Sequence, residues 1–237
     1  MNLEAQMTPK AALPLALLTA LYAGCDGRTS EKDLAAPTPH EHSSGAEHGF
    51  PDPQTYAKHL DDPERDAWQK PEEVVALMEI RPGMTVVDLG VGTGYFLGHL
   101  SEAVGPAGQV LALDTVPGMI ELTRARIESE DMKNVEPRVV EPDDPGLPPG
   151  SIDRTLVVNT WHHVSERPDY ARKLRTALRP GGVLLIVDFE MDSPHGPPRM
   201  MRLEAETVVR ELEAAGFVTE VLSETLPHQY AVAGRAP

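Results

Sequence analysis

The 237-residue chain has a single cysteine, few aromatic residues and a shortage of positive charge. One cysteine excludes an intramolecular disulfide framework and a metal site built from several thiolates. The chain carries 21 lysines and arginines against 37 aspartates and glutamates, which gives a formal net charge of -16. Because such a chain repels phosphate backbones, we expect no nucleic-acid partner. We predict no metal site.

Long apolar runs are also scarce, and the one near the start covers residues 11–23, AALPLALLTALYA. It is short for a membrane-spanning helix, and it follows a basic residue and ends in small residues, as a secretory signal does. The end of this segment resembles the lipobox of bacterial lipoproteins, in which Cys25 would receive a lipid, although Tyr22 replaces the usual leucine. We therefore predict a signal peptide over 1–25, membrane attachment through Cys25 and a location in the cell envelope. The alternatives are a plain signal peptide without a lipid, an uncleaved anchor and a cytoplasmic location.

Residues 26–55 show no periodic apolar pattern and are rich in glycine, proline, serine and charge. This composition predicts a flexible linker. The linker contains His40, His42 and His48, which we interpret as solvated residues; transient capture of a metal ion is the alternative. From residue 56 onward, helix and strand signals alternate, which predicts a parallel sheet with helices on both faces. We therefore assign 56–237 to one folded domain.

Within this domain, short apolar runs predict strands and longer periodic segments predict helices. The predicted strands cover 85–89, 109–113, 136–140, 154–158, 183–188, 217–223 and 228–234. The predicted helices cover 64–79, 94–104, 117–128, 167–178 and 203–215. The sequence thus predicts an α/β domain whose chain ends in a pair of strands.

The first predicted strand runs directly into a turn that contains Gly90, Gly92 and Gly94. Glycine lets the backbone adopt positive φ and pass close to a ligand, and the following helix offers free N–H groups to an anion. A dinucleotide-binding fingerprint would place its third glycine where Tyr95 stands, and the lysine of a P-loop is absent. Asp88, before the first glycine, also argues against a pyrophosphate at this turn.

Acidic residues follow the next two predicted strands. Asp114 ends the second strand, where a carboxylate can accept hydrogen bonds from both ribose hydroxyls of a nucleoside. Asp143 and Asp144 follow the third strand, within reach of an adenine amino group. Because the carboxyl ends of parallel strands meet at one edge of a sheet, these groups should lie together beside the topological switch point. The pattern therefore predicts a nucleoside site.

The run from Val86 to Phe96 resembles motif I of the class I S-adenosylmethionine-dependent methyltransferases, and the resemblance extends over about 62–235. Ser151-Ile152-Asp153 before strand four and the LRPGG segment at 178–182 before strand five are similar to the family as well. The resemblance implies a three-layer α/β/α Rossmann-like fold. Its mostly parallel seven-stranded sheet would have the order 3-2-1-4-5-7-6, with the last strand antiparallel. It also implies S-adenosylmethionine as the cofactor.

The resemblance assigns roles to residues around the turn. The backbone at Gly90 and Gly92 would pass under the methionine part of the cofactor, Asp88 would bind its ammonium group, and Asp114 would bind its ribose. The remaining cofactor-binding residues that it implies are Gly94, Asp143, Asp144 and Asn159. The segment 65–71 resembles a lid of related enzymes, whose Trp68 would either cover the cofactor or pack on the first helix.

Two histidines, His162 and His163, follow the fourth predicted strand, beside the expected position of the methyl group. An imidazole exchanges protons near neutral pH, so either ring is a candidate general base or acceptor-orienting group. The alternative is that both rings hydrogen-bond loop backbone. Further candidates for the walls of an acceptor pocket, or for ordinary packing, are Asp188, Glu190, His195, His228, Gln229 and Tyr230.

Motifs of particular family members are absent from this sequence, and their absence narrows the range of possible methyl acceptors. The Asn/Asp-Pro-Pro-Tyr/Phe motif of members that methylate amines of DNA or protein is absent after strand four, where Asn159 begins a different sequence. Cys25 lies outside the domain, so the cysteine relay of arsenite methyltransferases is absent too. We predict a methyltransferase with a small-molecule acceptor. The alternatives are a non-catalytic cofactor-binding module anchored in the cell envelope and a nicotinamide oxidoreductase, which Tyr95 disfavours.

Overall fold

The computed structural model describes residues 53–237. The predicted signal peptide at 1–25, its Cys25 and the three linker histidines lie outside the described residues. Within 53–237, no helix is long and apolar enough to cross a membrane. In the same part of the chain, no group of three or more His, Cys, Asp or Glu side chains is placed to hold a metal ion.

The described residues form seven α-helices and seven strands. The helices are α1 (Pro53–Leu60), α2 (Arg65–Gln69), α3 (Pro71–Leu77), α4 (Leu97–Val104), α5 (Pro117–Ser129), α6 (Arg167–Ala177) and α7 (Ala205–Ala214). The strands are β1 (Thr85–Leu89), β2 (Gln109–Asp114), β3 (Val135–Val139), β4 (Ile152–Val158), β5 (Leu178–Phe189), β6 (Val218–Val221) and β7 (Gln229–Arg235). Two short 3₁₀ helices cover Trp161–His163 and Arg199–Met201.

The strands form one sheet in the order β3-β2-β1-β4-β5-β7-β6. Neighbours from β3 to β5 are parallel, and β7 is antiparallel to both β5 and β6. This confirms the predicted Rossmann-like methyltransferase fold and its strand order. The carboxyl ends of β1 to β5 therefore meet at one edge, and the start of β7 lies at the same edge, where Asp188 pairs with Tyr230 and Phe189 with Gln229.

Apolar side chains on both faces of the sheet hold the helices in place. On one face, Leu174 of α6 and Leu212 of α7 pack with Ile186 of β5. On the other face, Leu97 of α4 packs with Val110 of β2. All five side chains are fully buried, and each such burial contributes about 1.5–3 kcal/mol to folding. These two cores fix the strand ends, and with them the edge that carries the polar side chains.

Several element bounds differ by one to three residues from the predicted ones, and the differences at α1 to α3 and at β5 have particular interest. The helix predicted over 64–79 is two helices, because Lys70 adopts φ +44° between α2 and α3. The residue before a proline is disfavoured in the α region, and Pro71 follows Lys70 directly. Strand β5 begins earlier than the predicted 183–188. Helix α1 begins at Pro53, before the predicted start of the domain.

Candidate active site

The glycine turn between β1 and α4 is built from residues with left-handed backbone. Gly90, Gly92 and Gly94 have φ values of +76°, +56° and +86°. A Cβ atom on Gly90 would clash with the side chain of Thr160, so only glycine fits there. The amide of Gly90 donates to the carbonyl oxygen of Leu113 at 2.8 Å, which ties the turn to the end of β2. All three predicted glycines therefore lie at the sheet edge.

The carboxylate of Asp114 lies against this turn. Its Oδ2 accepts a hydrogen bond from the amide of Gly92, and its Oδ1 accepts one from the amide of Val116, both at 2.9 Å. Burial raises the pKa of Asp114 above its ordinary value, and these backbone N–H groups oppose that rise. Each carboxylate oxygen has a second lone pair, so the side chain can still accept a hydrogen bond from each of two ribose hydroxyls.

Asp88 is the buried acid of the site, with 3 % of its surface exposed. Burial raises its pKa to about 7, the Arg65 guanidinium opposes that rise, and the charge of Asp114 adds to it. A buried carboxylate of this kind gains most from a cation placed beside it. The environment of Asp88 thus suits an ammonium group, which is the role that the family resemblance implies for this residue.

The segment that joins α1 to α2 covers the turn. Oγ1 of Thr93 donates to the carboxylate of Asp61 at 2.8 Å. The buried Arg65 donates to the carbonyl oxygen of Leu60 at 2.6 Å, and its guanidinium lies 3.9 Å from the ring centroid of Tyr95. Arg65 was missed by the sequence analysis as a site residue. The signal was present, because Arg65 is a cation in a segment where acids predominate.

A closed ring of three amides holds α2 on the sheet edge. Nε2 of Gln69 donates to Gln229 at 2.6 Å, Nε2 of Gln229 donates to Asn159 at 2.5 Å, and Nδ2 of Asn159 donates to Gln69 at 3.0 Å. Asn159 adopts φ +54°, which turns the chain after β4. The side chain predicted to bind cofactor is thus engaged with two glutamines, and its role toward the cofactor stays a prediction.

His162 and Asp188 form a buried pair at the ends of β4 and β5. Nδ1 of His162 lies 2.9 and 3.0 Å from the two carboxylate oxygens of Asp188, and both side chains are only 2 % exposed. An ionised carboxylate only accepts hydrogen bonds, so Nδ1 is the donor of this pair; in a neutral imidazole the lone pair is then on Nε2. His163 is exposed, with its ring centroid 4.2 Å from that of His162. His162, one of the two predicted histidines, therefore has a buried carboxylate partner.

Helix α7 anchors the short helix that carries His162. Nε1 of the fully buried Trp161 donates to Glu211 of α7 at 2.9 Å. Nε of Arg167 donates to both oxygens of the same carboxylate at 2.8 and 3.0 Å. Because Trp161 directly precedes His162, these bonds restrict where the imidazole can lie.

Aromatic and histidine rings cluster beside the end of β5. Trp68 of α2 stacks on His195 with a centroid distance of 4.6 Å and an angle of 11° between the rings. Phe189 lies 6.0 Å from Trp68, and His228 lies 5.1 Å from His195. Trp68 therefore packs on the loop after β5, which neither of the two sequence-based alternatives had specified.

One arginine organises that loop. The guanidinium of Arg202 donates to five backbone carbonyls at distances of 2.7 to 3.3 Å; the acceptors belong to Glu190, Met191, Ser193, His195 and Pro197. Such convergence gives the loop a fixed backbone without regular secondary structure. It also fixes the backbone at His195, the partner of Trp68.

Asp143 and Asp144 lie in the turn after β3, and both are exposed. Oδ1 of Asp144 accepts a hydrogen bond from the amide of Gly146 at 2.9 Å, and the amide of Val140 donates to the backbone oxygen of Asp114 at 3.0 Å. The turn is thus held beside the end of β2. The adenine contact of the two acids stays a prediction.

Comparisons with known proteins agree with this geometry. The family described as a methyltransferase domain matches residues 86–182. A solved S-adenosylmethionine-dependent methyltransferase from Aquifex aeolicus is 30 % identical, with a TM-score of 0.75, and the match covers 79 % of this chain and 100 % of that one.

Curated relatives match over shorter stretches. A demethylmenaquinone methyltransferase from Lactococcus lactis is 34 % identical over 111 residues, which are 45 % of this chain and 42 % of the relative. A nocamycin O-methyltransferase from Saccharothrix syringae is 26 % identical over 161 residues, 68 % of this chain and 56 % of the relative. The chain spans between 33 % and 50 % of the length of the first curated relatives.

Proposed function

The chain belongs to the class I S-adenosylmethionine-dependent methyltransferases, and we propose that it is an active enzyme that methylates a small-molecule acceptor. The observation that carries this proposal is the cradle formed by the glycine turn, Asp88 and Asp114 at one edge of the sheet. S-adenosylmethionine combines a nucleoside with an amino-acid end that carries an ammonium group. The two carboxylates and the glycine turn suit these two parts, and all of them lie together at one edge of the sheet.

The residues of the cradle fit S-adenosylmethionine part by part. Asp114 would accept hydrogen bonds from the ribose, and Asp88 would hold the ammonium group. The carboxylate of the methionine part needs a cation, and Arg65 is the cation that lies beside Asp88. Asp143 and Asp144 are exposed next to the end of β2, where the adenine would lie.

Catalysis would rest on alignment, exclusion of water and removal of one proton. The bound cofactor supplies a methyl carbon that its sulfonium makes electrophilic. The lone pair on Nε2 of His162 would take the proton of the acceptor, and the carboxylate of Asp188 would stabilise the imidazolium that results. This buried base at the acceptor edge supports an enzyme rather than a non-catalytic binding module.

Calorimetry on the purified full chain tests the cofactor part of the proposal. We expect heats of binding with S-adenosylmethionine and S-adenosylhomocysteine, and none with NADH. A chain that binds NADH in preference to both would contradict the proposal. A matched control is Glu220→Gln, which removes an exposed charge from β6 at the far end of the sheet.

Methyl transfer is tested with cofactor labelled in the methyl group. Label should move from the cofactor to small molecules of cell extracts when the full chain is present. His162→Asn should retain cofactor binding and lose most of this transfer. Cofactor binding without transfer to any extract would instead support the binding module.

The proposed location rests on residues 11–25 alone. We propose that the full chain is attached to a membrane through a lipid on Cys25 and lies in the cell envelope. Fractionation of cells tests this point: the natural chain should sediment with membranes and Cys25→Ser should not. Equal sedimentation of the two chains would contradict the attachment.

A further inference from the structure

The hydroxyl group of Tyr230 has no hydrogen-bond partner within 53–237, although it is buried. Tyr230 is 3 % exposed and is the second residue of β7. A buried hydroxyl without a partner costs about 1–3 kcal/mol, and most buried polar groups in proteins therefore have one. The orphaned hydroxyl of Tyr230 thus needs an explanation from function.

Its position connects it to the proposed base. Tyr230 pairs across the sheet with Asp188, whose carboxylate holds His162. Side chains of directly paired residues lie on the same face of a sheet. The orphaned hydroxyl and the imidazole therefore share one face and one edge of the sheet, where the acceptor must meet the methyl group.

The charges around the hydroxyl keep it protonated. Burial raises the pKa of Tyr230, and the negative charges of Asp188, Glu190 and Glu211 raise it further, against a smaller opposing effect of Arg167. The hydroxyl is therefore a hydrogen-bond donor throughout the physiological range. The same carboxylates repel an anionic acceptor.

We propose that the Tyr230 hydroxyl donates a hydrogen bond to the acceptor atom, and that the acceptor is an uncharged molecule with a hydroxyl group. This inference rests on the proposed function. A hydroxyl oxygen accepts from Tyr230 while its proton faces the lone pair of His162, so one group satisfies both side chains. A protonated amine has no lone pair that could accept a hydrogen bond from Tyr230. A carboxylate would be repelled by the negative charges of Asp188, Glu190 and Glu211.

The transfer balances with these two side chains. The hydroxyl proton passes to Nε2 of His162, an oxygen lone pair forms the bond to the methyl carbon, and the carbon–sulfur electron pair goes to sulfur. Tyr230 keeps its own proton throughout and stabilises the charge that develops on the acceptor oxygen.

The neighbouring rings favour an acceptor with a ring of its own. Trp68 and His195 stack on each other at the same edge of the sheet, beside the end of β5. Stacking with a flat acceptor is favourable on such rings. A phenol is therefore the appropriate probe.

The test compares 4-methylphenol, which is uncharged near neutral pH, with toluene, which lacks the hydroxyl, on the full chain with S-adenosylhomocysteine present. We expect 4-methylphenol to bind about tenfold more tightly to the natural chain, the effect of one or two net hydrogen bonds. Tyr230→Phe should lose this preference and melt at the same or a higher temperature, because it removes an unpartnered hydroxyl. The matched control, Tyr170→Phe, removes a hydroxyl from α6 and should keep the preference.

The outcomes separate the two proposals. An unchanged preference in Tyr230→Phe, a clear fall in its melting temperature, or no preference in the natural chain would overturn the role of Tyr230. A failure of the full chain to bind S-adenosylhomocysteine would instead contradict the proposed function. Tighter binding of 4-methylaniline than of 4-methylphenol would overturn the assignment of a hydroxyl acceptor.

Discussion

The amide of Gly92 donates a 2.9 Å hydrogen bond to Oδ2 of Asp114, so the turn after β1 and the tip of β2 form one unit. The carboxylate that we propose to bind ribose also holds the backbone that would pass beneath the methionine part of the cofactor. A substitution of Asp114 should therefore affect both the ribose part and the methionine part of the proposed cofactor site.

Asp114→Ala should weaken the binding of S-adenosylhomocysteine by about 10- to 100-fold. The physical reason is the loss of charge-assisted hydrogen bonds, each of which contributes about 1.5–3 kcal/mol. Asp114→Asn should lose less, because its amide oxygen still accepts from Gly92. Isothermal titration calorimetry measures both constants, and equal affinity of Asp114→Ala and the natural chain would remove the role of this acid.

Asp88 should make stability depend on pH. Its ordinary pKa is 3.8 and burial raises the pKa in the folded chain to about 7. Between these values the folded state keeps a proton that the unfolded state has lost, so the free energy of unfolding falls as pH rises from about 4 to about 7 and is level above that. Asp88→Asn should lack this slope.

Thermal unfolding of both chains between pH 5 and pH 8, in the absence of ligand, checks the effect of Asp88. As pH rises, the free energy of unfolding of Asp88→Asn should increase relative to that of the natural chain. In a separate measurement, the affinity of the natural chain for S-adenosylhomocysteine should increase as Asp88 ionises. Parallel stability curves would contradict a raised pKa.

The sequence was sufficient for the fold because its signals are local and agree with one another. The glycine turn, Asp88 and Asp114 follow strands whose apolar runs are short and clearly bounded, and the structure places them at one edge. The break at Lys70 was missed because periodicity continued through it, although Pro71 indicated a boundary. A single proline is weak evidence against a long periodic apolar pattern, so the sequence predicted one helix where the structure has two.

The contacts between distant segments could not be read from the sequence. His162 and His163 look alike in the chain, and only the register of β4 and β5 gives His162 its carboxylate. The same holds for the ring of Gln69, Asn159 and Gln229, which joins residues from three separate elements. Amides carry no local pattern that indicates a partner.

Asp188→Asn should lower kcat about 100-fold with little change in the affinity for cofactor. The carboxylate fixes the proton on Nδ1 of His162, and an amide at Asp188 would allow the other tautomer and lose the charge that stabilises the imidazolium. Nitrogen-15 spectra of the imidazole should show one tautomer in the natural chain and a mixture in the variant.

A matched control for Asp188→Asn is Asp192→Asn, an exposed acid of the following loop, which should keep both the spectrum and the rate. If the tautomer of His162 does not respond to the loss of Asp188, the orienting role of that carboxylate is wrong.

Arg202→Ala should loosen the loop after β5. Loss of five donated hydrogen bonds leaves carbonyl groups without their partner, and we expect unfolding to become easier by about 1–3 kcal/mol. Arg202→Lys should recover part of this, because an ammonium has three donors in place of five. Hydrogen exchange of residues 190–204 and chemical denaturation measure the two effects.

Arg199→Ala serves as the control for Arg202, since Arg199 donates one hydrogen bond to the carbonyl of Met191 in the same loop. It should change exchange and stability less than Arg202→Ala. An equal effect of the two variants would mean that the five hydrogen bonds of Arg202 stabilise the loop no more than the single hydrogen bond of Arg199.

The antiparallel placement of β7 has a consequence for the order in which the site becomes complete during synthesis. A ribosome makes β1 to β5 well before Gln229 and Tyr230, the residues that pair with Phe189 and Asp188 beside the proposed acceptor site. A nascent chain that stops short of β7 would leave the edge of β5 without its hydrogen-bonding partner, and Asp188 without Tyr230 beside it. Methyl transfer should thus begin only after the final strand has threaded between β5 and β6, whatever has folded earlier.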